Sequence, residues 1–174
     1  MTLNGDQRAV ASRIGAAALT TLVVLGIVGG AGWRPLPERD PTGLALVCLL
    51  LVALTLAVSI GRVAAHRFVT PEDIAGSGLT TGTDRVRALN AVVQNTLEQA
   101  VLAIPTYLAA AMLLPERRSG MIAAAAVLFV IGRLSFARGY TQGAAGRAFG
   151  FGLTFYPTLM LLVLSVVAEV IPGE

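Results

Sequence analysis

Four stretches of this chain, 14–33, 42–61, 88–114 and 148–168, run with almost no charge. Each has the roughly 20 residues that an α-helix needs to cross the hydrocarbon core of a bilayer. There, every backbone N–H and C=O must be satisfied internally, which restricts the chain to helices or a closed barrel. A fifth segment, 119–132, has only 14 uncharged residues. Extended through Arg133 to Tyr140 it reaches about 33 Å at a rise of about 1.5 Å per residue, enough to span with an arginine inside. Five membrane helices are therefore expected. With 174 residues, 55% of them hydrophobic, 13% charged, and a mean hydropathy of +0.75, the chain does not have the balance of a soluble domain. The fold class that follows is an all-α integral membrane helical bundle. Arg8 and Arg13 precede the first segment and Gly-Gly-Ala ends it, as in a signal peptide. Its apolar core exceeds the usual 7–15 residues of a signal peptide, so it is expected to be a retained helix.

The connections carry turn chemistry: WRPLPERDPTG after the first helix, PERRSG between the third and fourth, and IPGE at the end. In the longest, AAHRFVTPEDIAGSGLTTGTD, Thr70-Pro71-Glu72-Asp73 suits a short helical turn and Thr83-Asp84 an N-cap. The glycines of GSGLTTGT lack the GK[ST] ending of a phosphate-binding loop and read as a flexible connection. Nine arginines (8, 13, 62, 67, 85, 87, 133, 138 and 147) fall on one side and four (34, 39, 117 and 118) on the other. The arginine-rich side predicts a cytoplasmic N-terminus and an external C-terminus.

All 13 basic residues are arginine, for a formal charge of +3, and they are scattered over loops and helix ends without interleaved aromatics. This points to the lipid bilayer as partner and away from nucleic acid. The single cysteine, Cys48, lies within LALVCLLLVAL, so no internal disulfide can form. With one distant histidine, His66, it has no metal-site spacing, and no metal is expected. His66 stands among Arg62 and Arg67, where lipid-headgroup contact is expected and a pH-sensing role is the alternative.

The stretch AVVQNTLEQAVLAIPTYL, 91–108, is apolar enough for a membrane yet carries Gln94, Asn95, Glu98 and Gln99. Arg87, Asn90, Gln94 and Glu98 recur every three or four residues along one helical stripe, with Asn95 beside Glu98. An ionised acid at the bilayer centre costs about 2.5–3.5 kcal/mol, so Glu98 is expected to face protein and to have a partner. The fourth helix offers Arg133, on one face with Phe136, Ala137 and Tyr140. The fifth offers Arg147 at its first turn, followed by Phe151 and Thr154 on the same side. Two arginines against one carboxylate make an electropositive pocket suited to an anionic ligand or thiolate. The alternative is structural: Glu98 and Arg133 as a bridge between helices, and Arg147 reaching for headgroups.

QNTLEQ on one helix and GRLSFARGYTQGAAGRAFGF across a later pair resemble the MAPEG family, the membrane-associated proteins in eicosanoid and glutathione metabolism. The similarity runs from about residue 44 to 170. It implies a four-helix core in 42–174, with residues 1–41 adding an N-terminal transmembrane helix and loop. It further implies a homotrimer that binds glutathione between subunits. Asn95 and Glu98 match the family's N-x-x-E, which contacts the glutathione peptide. Arg133 and Tyr140 match its third-helix arginine and following tyrosine, and Arg147 its thiolate-stabilising arginine. Arg87 and Gln94 are candidate auxiliary contacts. Two positions depart from the pattern. Ala91 stands where members using glutathione often carry arginine, and Phe136 replaces a tyrosine and loses its hydroxyl.

The resemblance implies a transferase or peroxidase that uses glutathione, or another low-molecular-weight thiol, as cosubstrate against a lipophilic electrophile or hydroperoxide. A thiol of pKa about 8.5 is half ionised at pH 7 after stabilisation by about 2 kcal/mol. A helix N-terminus supplies roughly 0.3–1 kcal/mol, up to about 2 when partly buried, and Arg147 the remainder. A non-catalytic scaffold or lipid-binding protein, with the polar groups as structural ties, is the alternative. A small transporter subunit is a weaker one, since no internal repeat is visible.

Overall fold

A computed structural model of the chain describes residues 4–76 and 79–171. Ser77 and Gly78 of the GSGLTTGT loop, and residues 172–174 of the IPGE end, lie outside the described residues. Five α-helices follow one another: α1 (Gly5–Ala31), α2 (Pro41–Val69), α3 (Asp84–Leu113), α4 (Gly120–Gly139) and α5 (Gly143–Val170). There is no strand among the described residues.

The helix starts obey local chemistry. Asn4 and Gln7 form a reciprocal capping box on α1, the Gln7 amide donating to Asn4 Oδ1 at 2.8 Å and the Asn4 amide to Gln7 Oε1 at 2.9 Å. Asp40 accepts from the Gly43 amide at 2.8 Å to open α2, with Pro41 at its first position. Thr83 caps α3, as its sequence position predicts. The Thr70–Asp73 segment forms the expected short helical turn, a 3-10 turn over Pro71–Asp73. Between α4 and α5 there is only another 3-10 turn, Tyr140–Gln142, released by Gly143 at φ +85°, a value that favours glycine.

Four helical runs are long and apolar enough to cross a membrane: α1, α2, α3 and Glu116–Val170. The last contains α4 and α5 folded back on each other, and α4 alone, at 20 residues, is about 30 Å long. The protein is an integral membrane bundle. α4 is its centre, with Ile122, Ala125, Ala126 and Phe129 fully buried. α5 packs along α4 so closely that a methyl at Gly139 or Gly146 would overlap the other's carbonyl, and one at Gly150 would strike the Phe136 backbone. Such backbone contact is how helices associate where lipid removes the hydrophobic drive. α1 is peripheral, burying only Ala17, Thr21 and Leu25. Its Leu19, Leu22 and Ile27 stay exposed, as a lipid-facing surface would be.

Candidate functional site

The packing of α3, α4 and α5 turns Arg133 inward rather than toward Glu98. Its side chain is buried. Nη1 donates to Asn95 Oδ1 at 2.8 Å, Nε to Thr154 Oγ1 at 3.0 Å, and Nη2 approaches the Gly150 carbonyl at 3.5 Å. The Thr154 hydroxyl in turn donates to that carbonyl at 2.8 Å. The Phe136 ring lies 4.7 Å from the guanidinium carbon, so the residue that lacks the tyrosine hydroxyl supplies a cation–π face instead. Asn95 thus has its carbonyl committed to Arg133. Its amide points the other way, at 3.4 Å from Glu98 Oε2.

The expected partner of Glu98 is therefore corrected. Glu98 accepts from Gln94 Nε2 at 3.0 Å and from the Asn95 amide, both on its own helix, and no ion pair reaches it among the described residues. Glu98 and Gln94 are exposed near the middle of α3, in line with exposed Leu97, Val101 and Ile104. Gln99, one residue on, faces the interior. The geometric reason is that Arg133 leaves α4 on the α5 side, where Thr154 and Gly150 offer acceptors.

A pocket of about 380 Å³ opens beside Asn95, lined also by Phe136, Tyr140, Arg147, Phe151 and Ala91. Arg147, half-buried on the first turns of α5, lays its guanidinium carbon 4.7 Å from the centre of the Tyr140 ring. The stack holds a cation at a helix N-terminus, where the backbone adds its own positive partial charge. Of the sequence candidates, Asn95, Tyr140 and Arg147 meet at this pocket. Arg133 stands behind Asn95 and fixes it. Gln94 and Glu98 occupy the outer face of α3. Arg87 is spent at the helix start, donating to the Gly82 carbonyl at 2.6 Å and pairing with Asp84.

Residues 42–167 match the model of the MAPEG family. The chain belongs to the MAPEG family. No curated protein and no solved structure gives a significant match. The MAPEG match leaves α1 outside, yet Val10 and Ile14 of α1 form one wall of the pocket. Nothing in their sequence marks them: two aliphatic residues on an apolar helix carry no chemistry until packing brings them to the site. Thr154 was legible as sharing the face of Arg147, but its bond to Arg133 was not.

Outside the pocket, His66 also has a partner that its sequence neighbours do not suggest. Its Nε2 lies 2.9 Å from Oδ2 of Asp73, whose side chain has no exposed surface. The Thr83 amide donates to Asp73 Oδ1 at 2.8 Å and the Thr83 hydroxyl to Oδ2 at 2.6 Å. This knot ties the end of α2 to the start of α3. Burial opposes ionisation of Asp73, but the Thr83 hydroxyl, the Thr83 amide and His66 together hold its carboxyl below the ordinary carboxylate range.

Proposed function

We propose that this MAPEG protein is a membrane-bound thiol transferase or peroxidase whose thiol occupies the Asn95–Tyr140–Arg147 pocket. The observation that carries the reading is the guanidinium of Arg147, stacked on Tyr140, at the N-terminal end of α5 and within reach of a pocket occupant. An arginine so placed favours the thiolate over the thiol. The thiol proton leaves to water. The thiolate sulfur then bonds to the electrophilic carbon of a lipophilic substrate, and the displaced group departs with the bonding pair. With a hydroperoxide, the sulfur takes the terminal oxygen, the O–O bond breaks, and the alkoxide is protonated to an alcohol. A second thiol then reduces the oxidised sulfur, giving a disulfide and water.

Asn95 presents its amide to the peptide-like portion of the thiol because Arg133 fixes its carbonyl. Glu98 and Gln94, exposed at mid-helix in a single chain, are polar groups that lipid would penalise. Coverage by a neighbouring copy, in a homotrimer, removes that penalty and brings Glu98 to the thiol site from the subunit boundary. The N-terminus is cytoplasmic in this reading, so thiol and lipophilic substrate arrive from different phases.

The test is calorimetric titration of the detergent-solubilised protein with glutathione and other low-molecular-weight thiols. Wild type is compared with Glu98→Gln and Arg147→Ala, together with ultraviolet absorbance of the bound thiolate. Binding weakened in Glu98→Gln and a thiolate band lost in Arg147→Ala, with the assembly intact, are expected. An unchanged band in Arg147→Ala removes that arginine's role. Failure of folded protein to bind any thiol favours the second reading, a non-catalytic scaffold. One observation speaks for that reading: Ala91 lines the pocket with a methyl and, among the described residues, leaves Arg147 as its only lining cation.

A further inference from the structure

A second groove lies between α1 and the α4–α5 turn, and it gathers charge that the thiol pocket does not use. It encloses about 400 Å³ and is lined by Arg13, Arg138, Gln142, Ser135, Leu134 and Ile131. Both arginines are exposed, and neither has a carboxylate within ion-pair distance among the described residues. Polarity changes in order along the groove. Ile131 and Leu134, 48% and 49% exposed, lie toward the middle of α4. Ser135, Arg138 and Gln142 follow toward the helix end, with the Gln142 amide donating to the Arg138 carbonyl at 3.4 Å. From Ile131 to Arg138 the rise is about 10 Å, the scale on which a bilayer passes from acyl chain to headgroup. α5 begins beside this groove at Gly143, and no side chain caps its free N–H groups. That adds positive potential where the two guanidinium groups stand.

We infer that this groove binds an anionic phospholipid from the bilayer, its phosphate against Arg13 and Arg138 and one acyl chain over Leu134 and Ile131. The two exposed apolar residues below the arginines favour a lipid over free phosphate, since they offer a soluble anion nothing. Arg13 belongs to α1, outside the matched region, so the extra helix supplies half of the site's charge. The site stands on the groove alone and does not depend on the thiol reading.

Delipidated full-length protein, incubated with vesicles of phosphatidylglycerol or of phosphatidylcholine, would be analysed by native mass spectrometry for retained lipid. Phosphatidylglycerol is expected to be retained in preference. Arg13→Gln and Arg138→Gln should each weaken retention about fivefold, the effect of roughly 1 kcal/mol per basic residue near an anionic surface. Arg85→Gln removes one charge from the same end of the bundle but outside the groove and should change retention little, while Arg13→Lys should keep most of it. Equal retention of the two lipids, or an Arg85→Gln loss as large as that of Arg13→Gln, would overturn the site in favour of bulk attraction. Complete displacement of phosphatidylglycerol by inorganic phosphate would overturn the lipid as occupant. If Arg138→Gln misfolds by circular dichroism, Arg13→Gln on the peripheral α1 decides the matter.

Discussion

Arg133 and Arg147 sit one helix apart and do different work because their surroundings differ. Arg133 meets Asn95, Thr154, Gly150 and the face of Phe136, so its donors are used internally. Arg147 stacks on the flat face of Tyr140 and, among the described residues, makes no side-chain hydrogen bond or ion pair, so the stack orients the cation without consuming its donors. Asp73, in the loop between α2 and α3, is a residue whose titration the structure shifts. Its carboxyl is held below the ordinary range, so its contribution to stability is fully present above the unfolded value of about 4 and is lost as pH falls through the lower folded value. Asp73→Asn is therefore expected to melt below wild type at neutral pH, with the gap closing only below about pH 4. Thermal melts of both proteins across this range check it. A gap that persists unchanged in strong acid would show that the carboxylate charge is not what matters.

At the scale of elements, the α4–α5 hairpin decides where the pocket stands. Close approach at Gly132, Gly139, Gly146 and Gly150 sets the spacing of the two helices, and hence the reach of Arg133 to Thr154. Gly150→Val would force the helices apart at the Phe136 backbone. The expected cost is about 1–3 kcal/mol, the usual range for overpacking. It should appear as a lowered melting temperature in detergent together with weakened thiol binding. Gly15→Ala on α1, where nothing lies within 4 Å of an added Cβ, should weaken neither. A Gly150→Val protein as stable as wild type would mean that the hairpin is softer than its contacts imply.

For the whole molecule, the uncovered face of α3 is the unresolved tension of a single chain. Among the described residues, Gln94 and Glu98 bond within α3, Glu98 to Gln94 and Asn95, and to no other helix, in the middle of a segment long enough to span a bilayer. On the proposed reading, copies of the chain cover this face. The intact protein in mild detergent is then expected to run as a trimer in sedimentation or light scattering, and Glu98→Leu should alter that mass distribution. A monomer that turns over thiols would detach the assembly from the chemistry.

Much of this was legible in the sequence because it is local. Apolar run length sets the number of helices, since lipid leaves the backbone no other way to satisfy its hydrogen bonds. The Thr83 cap acts within one turn and was read from the sequence, whereas the Asn4 and Asp40 caps were not, and the short motifs of α3–α5 suffice for the family. What only the tertiary structure decided is non-local. Arg133 prefers Asn95 to Glu98 because α5 brings Thr154 and Gly150 to its side. His66 finds Asp73 because a 3-10 turn folds back under α2. Val10 and Ile14 become a pocket wall, and Arg13 a neighbour of Arg138, because α1 lies along α5 and reaches α4. Helical periodicity tells which residues share a face, but which neighbour that face meets is settled only when all five helices pack at once.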